Sequence, residues 1–221
     1  MKTILKIVLP ALFILTFTLK SEAQIIRGGI ITGLNATQVD GDEVFGYHKF
    51  GWNVGATAIV PIAKKSWFVT LETIYNQKGA YQHPIYSDSA KSGAYKLNLN
   101  YVEVPVLLLF EDKGKLTFGA GASWGRLIKV EEFENNHKTP TNLDGPYSRD
   151  DIDVLLDMRF NIYQRLKFNF RYSYSMVKIR TRTFDNGVST WDRKQYNNML
   201  SFRLLYIFNE KVKPYESKKK K

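Results

Sequence analysis

Three histidines, His48, His83 and His137, are the side chains best suited to proton transfer or metal binding, and each falls in a different polar stretch. Brought together, three imidazoles would ligate a metal or haem, with Asp40, Asp42, Glu43, Asp88, Glu131, Glu132 and Glu134 as further oxygen donors. No fixed ligand spacing accompanies them, so they read as solvated loop histidines, and no metal-binding or cofactor-binding residue is assigned. A nucleophile would have to be Ser87, Ser89, Ser148 or Ser189 beside one of the histidines and an orienting acid. Gly121-Ala122-Ser123-Trp124-Gly125 spells Gly-x-Ser-x-Gly, but the run Gly119 to Gly125 lies mid-strand and lacks a following helix, so it makes neither a nucleophile elbow nor a phosphate cradle. The chain contains no Cys, which removes thiolate catalysis, disulfides and a lipoprotein anchor. We expect no catalytic residue and no enzyme, with a loop-borne hydrolase as the alternative.

Recognition chemistry is better represented. Tyr81, Tyr86, Tyr147 and Trp191 lie among Arg149 and Arg182, with Phe184, Arg180 and Arg193 nearby, and these residue types dominate binding hot spots. The same residues also suit an aromatic girdle and head-group contacts at a membrane surface.

The elements that position these side chains alternate apolar and polar residues with period two. The clearest, Leu166 to Met176, reads Leu, Lys, Phe, Asn, Phe, Arg, Tyr, Ser, Tyr, Ser, Met, a strand with one greasy and one wet face. The pattern predicts strands at Ile26 to Ala36, Phe50 to Pro61, Ser66 to Lys78, Tyr95 to Glu111, Lys115 to Val130, Asp151 to Tyr163, Arg165 to Ile179 and Gln195 to Phe208. Long connections (Thr37 to Lys49, Gly79 to Ala94, Glu131 to Asp150, Arg180 to Lys194) alternate with short ones (Ile62 to Lys65, Asp112 to Gly114, Gln164). Long and short therefore fall on opposite ends, as in an all-β, eight-stranded antiparallel up-and-down transmembrane β-barrel. In that arrangement the termini and tight turns are periplasmic and the long loops lie outside the cell.

Size decides which face points inward. One phase holds Phe50, Trp52, Val54, Leu116, Phe118, Trp124, Phe168, Phe170, Tyr172, Phe202, Leu204, Tyr206 and Phe208; the other holds Gly51, Asn53, Gly55, Thr57, Thr117, Gly119, Gly121, Ser123 and Gly125. An eight-stranded barrel has an interior only just wide enough for side chains, so the large rings must face outward, into lipid. A soluble lipocalin-like barrel would require the reverse. Trp67, Tyr75, Trp124, Tyr206 and Phe208 fall near strand ends, where interfacial aromatics belong. The inward phase then carries Arg27, Glu72, Glu103, Asp153, Asp157, Arg159, Lys167, Arg171 and Arg203, a paired polar network that plugs the barrel. A narrow solute pore is the competing reading. Pro105 interrupts the fourth strand and is expected to mark a bulge or bend.

The ends have their own signatures. Residues 1–23 combine Lys2 and Lys6, an apolar run from Ile7 to Leu19 and Ser21-Glu22-Ala23, the pattern of a cleaved signal peptide. The barrel is expected over 24–208 and a basic periplasmic tail over 209–221. The formal net charge is +11, but six Lys follow Phe208 and the remainder is scattered, so nucleic acid is not an expected partner. The expected partners are outer-membrane lipids and a protein met at the surface loops or in a secretion complex.

Three stretches carry a family likeness: Gly28-Gly29-Ile30-Ile31-Thr32-Gly33-Leu34-Asn35, Glu72-Thr73-Ile74-Tyr75-Asn76-Gln77-Lys78-Gly79, and Tyr101-Val102-Glu103-Val104-Pro105-Val106-Leu107-Leu108. Through them the chain resembles the small outer-membrane β-barrel proteins of the PorT-like, porin-family type of Gram-negative bacteria. The resemblance spans essentially the mature chain and implies an eight-stranded outer-membrane barrel. It implies little about activity, since a few such proteins serve secretion and fold alone does not deliver function.

Overall fold

Alternation of outward and inward side chains is realised along strands that close on themselves. The computed structural model describes residues 26–63, 66–85, 87, 93–112 and 114–210. The expected signal peptide, the tail beyond residue 210 and Tyr86 lie outside the described residues. The strands are β1 (Arg27–Asp40), β2 (Lys49–Ala63), β3 (Trp67–Gln82), β4 (Tyr95–Asp112), β5 (Leu116–Glu134), β6 (His137–Lys138), β7 (Asp150–Tyr163), β8 (Leu166–Ser175), β9 (Arg180–Asp185) and β10 (Thr190–Ile207). Neighbours pair antiparallel in the order β1-β2-β3-β4-β5-β7-β8-β10, and β10 returns to β1, with Gly29 opposite Ile207 and Asp40 opposite Tyr196. The ring therefore has eight staves and no free edge, the form in which a sheet satisfies its backbone inside lipid. β6 folds back on the end of β5, and β9 makes a hairpin with the first residues of β10.

Several strands run further at the long-loop end than the sequence pattern suggests: β1 reaches Asp40, β3 reaches Gln82 and β5 reaches Glu134. β8 instead stops at Ser175, short of the expected Ile179. The additional turn at Asn135-Asn136, with φ of 48° and 65°, has the left-handed geometry that asparagine tolerates in tight hairpins. Pro105 makes neither bulge nor shift. The β3–β4 ladder skips Glu72 and Thr73 and resumes in the same register, so the missing N–H costs pairing but not alignment.

The outer surface is apolar over a band of about five outward residues per strand, close to the roughly 25 Å height of a membrane barrel's hydrophobic belt. On β4 these are Val102, Val104, Val106, Leu108 and Phe110, and on β5 Leu116, Phe118, Ala120, Ala122 and Trp124. Its short-turn rim carries Trp67 against Phe110 and Tyr206 against Phe208, with ring centroids 5.1 and 5.8 Å apart. Beyond Tyr75, Val102, Trp124 and Ile152 the outward residues become Gln77, Asn98, Lys96, Arg126 and Asp150. This second region is a polar-walled collar standing clear of the belt, built chiefly by β3, β4 and β5. At the boundary β5 carries one extra residue: Tyr101 pairs with Leu127 but Asn100 pairs with Lys129, leaving Ile128 as a bulge.

Inward glycines let the narrow barrel fill. A Cβ on Gly121 would come within 2.7 Å of the Leu107 Cα, so the β4–β5 wall tolerates no side chain there.

Candidate functional site: the long-loop end and the lumen beneath it

The lumen is occupied by charged side chains that the strands deliver from opposite walls. Glu72 on β3 faces β8, four staves away around the ring. It receives Arg171 at 2.9 Å, Arg159 at 3.0 Å and Arg203 at 3.2 Å. Asp157 binds the same guanidiniums at 2.7, 2.7 and 3.2 Å. Higher up, the Lys78 ammonium is held by Asp153 at 2.6 Å, Glu103 at 2.8 Å and Asp151 at 3.1 Å. Asn197 donates to Asp151 at 2.7 Å and Asn76 to Glu103 at 2.8 Å. At the short-turn mouth Glu210 binds Lys167 at 2.8 Å and Arg27 at 3.3 Å.

The nine sequence-derived interior residues thus separate into three clusters. Glu72, Asp157, Arg159, Arg171 and Arg203 meet in one, Glu103 and Asp153 in a second, and Arg27 and Lys167 in a third, with Arg27 only partly buried at the mouth. Sequence reasoning missed Lys78 and Asp151, although both continue the inward phase of Glu72 and Asp153 by even steps. Beside the Glu72 cluster sits an apolar inner wall of Ile31, Ile59, Phe68, Ile74, Leu107, Leu109, Leu155, Leu205 and Ile207. A charge this deep is tolerable only with its partners in place, so the clusters lock the staves together across the bore.

Inside the collar the filling changes to Val39, Ala80, Tyr95, Leu97, Leu99, Tyr101, Leu127, Val130, Tyr147 and Ile179. Above them the β9–β10 hairpin leans over the mouth. Its inward face carries Arg180, Arg182, Phe184, Trp191 and Arg193, while Thr181, Thr183, Asp185, Asp192 and Lys194 face solvent. Arg180 donates to Glu132 Oε1 at 2.8 Å and to the Tyr147 hydroxyl at 2.7 Å, and Tyr95 donates to the same Glu132 oxygen at 2.9 Å. Arg182 lies over Tyr95 and Phe184 and donates to Glu134 at 2.6 Å. Trp191 stacks on Phe184 at 6.1 Å and donates to Glu43 at 3.3 Å. By its sequence position the hub Glu132 is a loop acid; the prolongation of β5 turns it inward.

The loop residues expected to present themselves for recognition are therefore unequal. Tyr147 is a correction: it is buried, because its ring closes the collar core and its hydroxyl serves Glu132 and Arg180. Burial, then the Glu132 charge, pushes its phenol up to about 12, so it stays a donor at neutral pH. Arg182 is held inside the hairpin, and Arg149 is tied to Asp144 and the Leu143 carbonyl. Trp191 is half-buried on the hairpin, and Tyr81 stands on the outer wall with His83 against it at 4.8 Å. The three histidines remain on separate connections, and among the described residues no group of three or more potential metal donors converges. In the first long loop Asp42 is buried, with one oxygen accepting from the Val44 N–H at 2.8 Å. Burial raises its carboxyl to about 7, opposed by that hydrogen bond and by the Arg182 charge.

A closed ring of eight staves with an apolar exterior and a charged, filled lumen defines an outer-membrane barrel. The chain belongs to the outer membrane protein beta-barrel domain family, which it matches over residues 23–180. Among solved structures it is similar to Ail, the attachment invasion locus protein of Yersinia pestis, at 13% identity and TM-score 0.48, covering 82% of this chain and 98% of that one. Neisserial surface protein A gives 10% identity and TM-score 0.49, covering 82% and 97%. AlkL, an outer membrane protein solved in lipid bilayers, gives 12% and 0.41, covering 85% and 93%. No curated protein matches the chain.

Proposed function

We propose that this outer-membrane barrel is a non-enzymatic binding protein that presents its long-loop end to the cell exterior, with short turns and termini periplasmic. The observation that carries this reading is the collar: polar outside and apolar inside, it is an arrangement suited to water rather than lipid, and it occurs at one end only. The lumen under the collar is filled by interlocked ion pairs, which favours a plugged structural barrel over a solute pore. Among the described residues none of the three histidines bonds a serine or a carboxylate, which favours binding over hydrolysis. The finer kinship to PorT-like barrels rests on the stretches 28–35, 72–79 and 101–108.

Because the chain has no Cys, single cysteines report orientation cleanly. A membrane-impermeant maleimide added to intact cells should label Asp144→Cys in a long loop and spare Arg165→Cys at a short turn. Labelling of the second and not the first would reverse the orientation. Planar-bilayer recordings should be silent, and steady conductance would make the pore reading the better one.

A further inference from the structure

The collar's outer wall carries a recess of about 300 Å³ lined by Tyr81, Pro84, Tyr95, Lys96, Phe133 and Asn136. Its floor is a cross-strand row. Tyr81 on β3 pairs with Lys96 on β4, and Lys96 pairs with Phe133 on β5, so ring, ammonium and ring are consecutive neighbours on the outward face. The Asn135-Asn136 turn forms one rim. Rows of this kind occur inside the belt as well, but there they are apolar; this one stands where the wall has already turned polar.

Most cations nearby are paired with a carboxylate, and Lys96 and its neighbour Lys49 are not, among the described residues. Arg126 is paired with Asp150, Lys129 and Lys138 with Glu131, Arg149 with Asp144, and Arg193 with Glu43. Among the described residues Lys96 has no carboxylate; its ammonium rests over the Phe133 ring at 5.8 Å, and it stands close enough to Lys49 to repel it. Among the described residues the recess therefore has a positive charge without a carboxylate, flanked by flat apolar faces. An anion satisfies the charge, and a ligand with C–H edges satisfies the rings through dispersion contact.

We propose that this recess binds an anionic sugar, a hexose unit bearing a carboxylate or phosphate, with the acid on Lys96 and the ring edge against Phe133 and Tyr81. The proposal rests on the binding-protein reading above, and it names the chemical class that the collar takes. Two sources supply such a sugar: the glycolipid of the protein's own membrane and a soluble acidic polysaccharide.

The test is calorimetric titration of the full barrel in phospholipid nanodiscs with a glucuronate-containing tetrasaccharide, against neutral maltotetraose. The acidic probe should bind, weaken as salt is raised, and lose about tenfold in affinity in Lys96→Met and in Phe133→Ala, the scale of one charge-assisted contact. Lys178→Met, on a separate connection, should bind as the parent does. Each variant is first required to show the heat-modifiable migration of a folded barrel. Equal binding of maltotetraose, no binding of the acidic probe, or unchanged affinity in Lys96→Met overturns the proposal. Repeating the titration in discs containing lipopolysaccharide separates the sources: loss of probe binding there assigns the recess to the membrane's own glycolipid, and persistence assigns it to a soluble glycan. Reversed maleimide labelling with intact probe binding would remove the surface orientation while leaving the sugar site standing.

Discussion

The belt and the collar are made by the same strands, yet they are inside out relative to one another. On β4, Val102 to Phe110 face outward around inward Glu103, whereas a few residues earlier Lys96 and Asn98 face outward around inward Leu97 and Leu99. Period two fixes which residues share a face, and the surrounding medium fixes which face is greasy. The belt is solved for lipid outside and tied by ion pairs within; the collar is solved for water outside and tied by apolar packing within. The change occurs at the Ile128 bulge, where β5 is re-aimed.

The comparison is broken most strongly by removing the belt's interior anchor. Glu72→Ala leaves three guanidiniums around one carboxylate and should cost about 3–5 kcal/mol in urea unfolding from lipid vesicles, the scale of breaking a buried ion pair. A loss under 1 kcal/mol would mean that water reaches the cluster. The next contrast lies on the outer surface. Phe170→Arg, near the middle of β8, should cost about 2–4 kcal/mol, while Asn98→Arg on the collar wall should change stability by less than about 0.5 kcal/mol. Equal costs would mean that both positions meet the same medium. Within the collar, Arg180→Ala removes the nearer of the two cations on Glu132, leaving Arg182 at 3.9 Å, and should cost about 1–3 kcal/mol, read as earlier proteolysis of the β9–β10 hairpin rather than loss of the barrel.

The smallest effect is the pH response of the first long loop. The Asp42 carboxyl lies at about 7 in the folded state, well above the ordinary value of 3.8, so the folded loop holds its proton longer than the unfolded one. Loop stability should therefore fall as pH rises from about 4 to about 7 and level off above that. Asp42→Asn should abolish the dependence, measured as protease cleavage within 41–48 across that range; unchanged dependence would assign it to another group.

Most of the barrel was legible in the sequence because lipid enforces a strict alternation. Leu166 to Ser175 shows it without interruption, and the inward set Glu72, Asp157, Arg159, Arg171 and Arg203 follows from parity alone. The collar was not legible for the same reason. Beyond Val102 the alternation persists but its meaning reverses, so Leu97, Leu99 and Leu127 still counted as strand while Glu132, Tyr147 and Arg180 read as loop. The recess was hidden further, since Tyr81, Lys96 and Phe133 become neighbours only once β3, β4 and β5 are extended and aligned. Asn135-Asn136 was the available signal for that prolongation.

Pairing of β1 with β10 also imposes an order in time. Until β10 has been made, β1 has an unpaired edge, and an unpaired backbone group in hydrocarbon costs several kcal/mol. Insertion cannot keep pace with synthesis strand by strand; it has to wait for the complete set, which makes assembly slow and leaves every edge open to mispairing meanwhile. Glu210, bound to Arg27 on β1 and Lys167 on β8, ties together the strands on either side of β10 and so reinforces the closed seam.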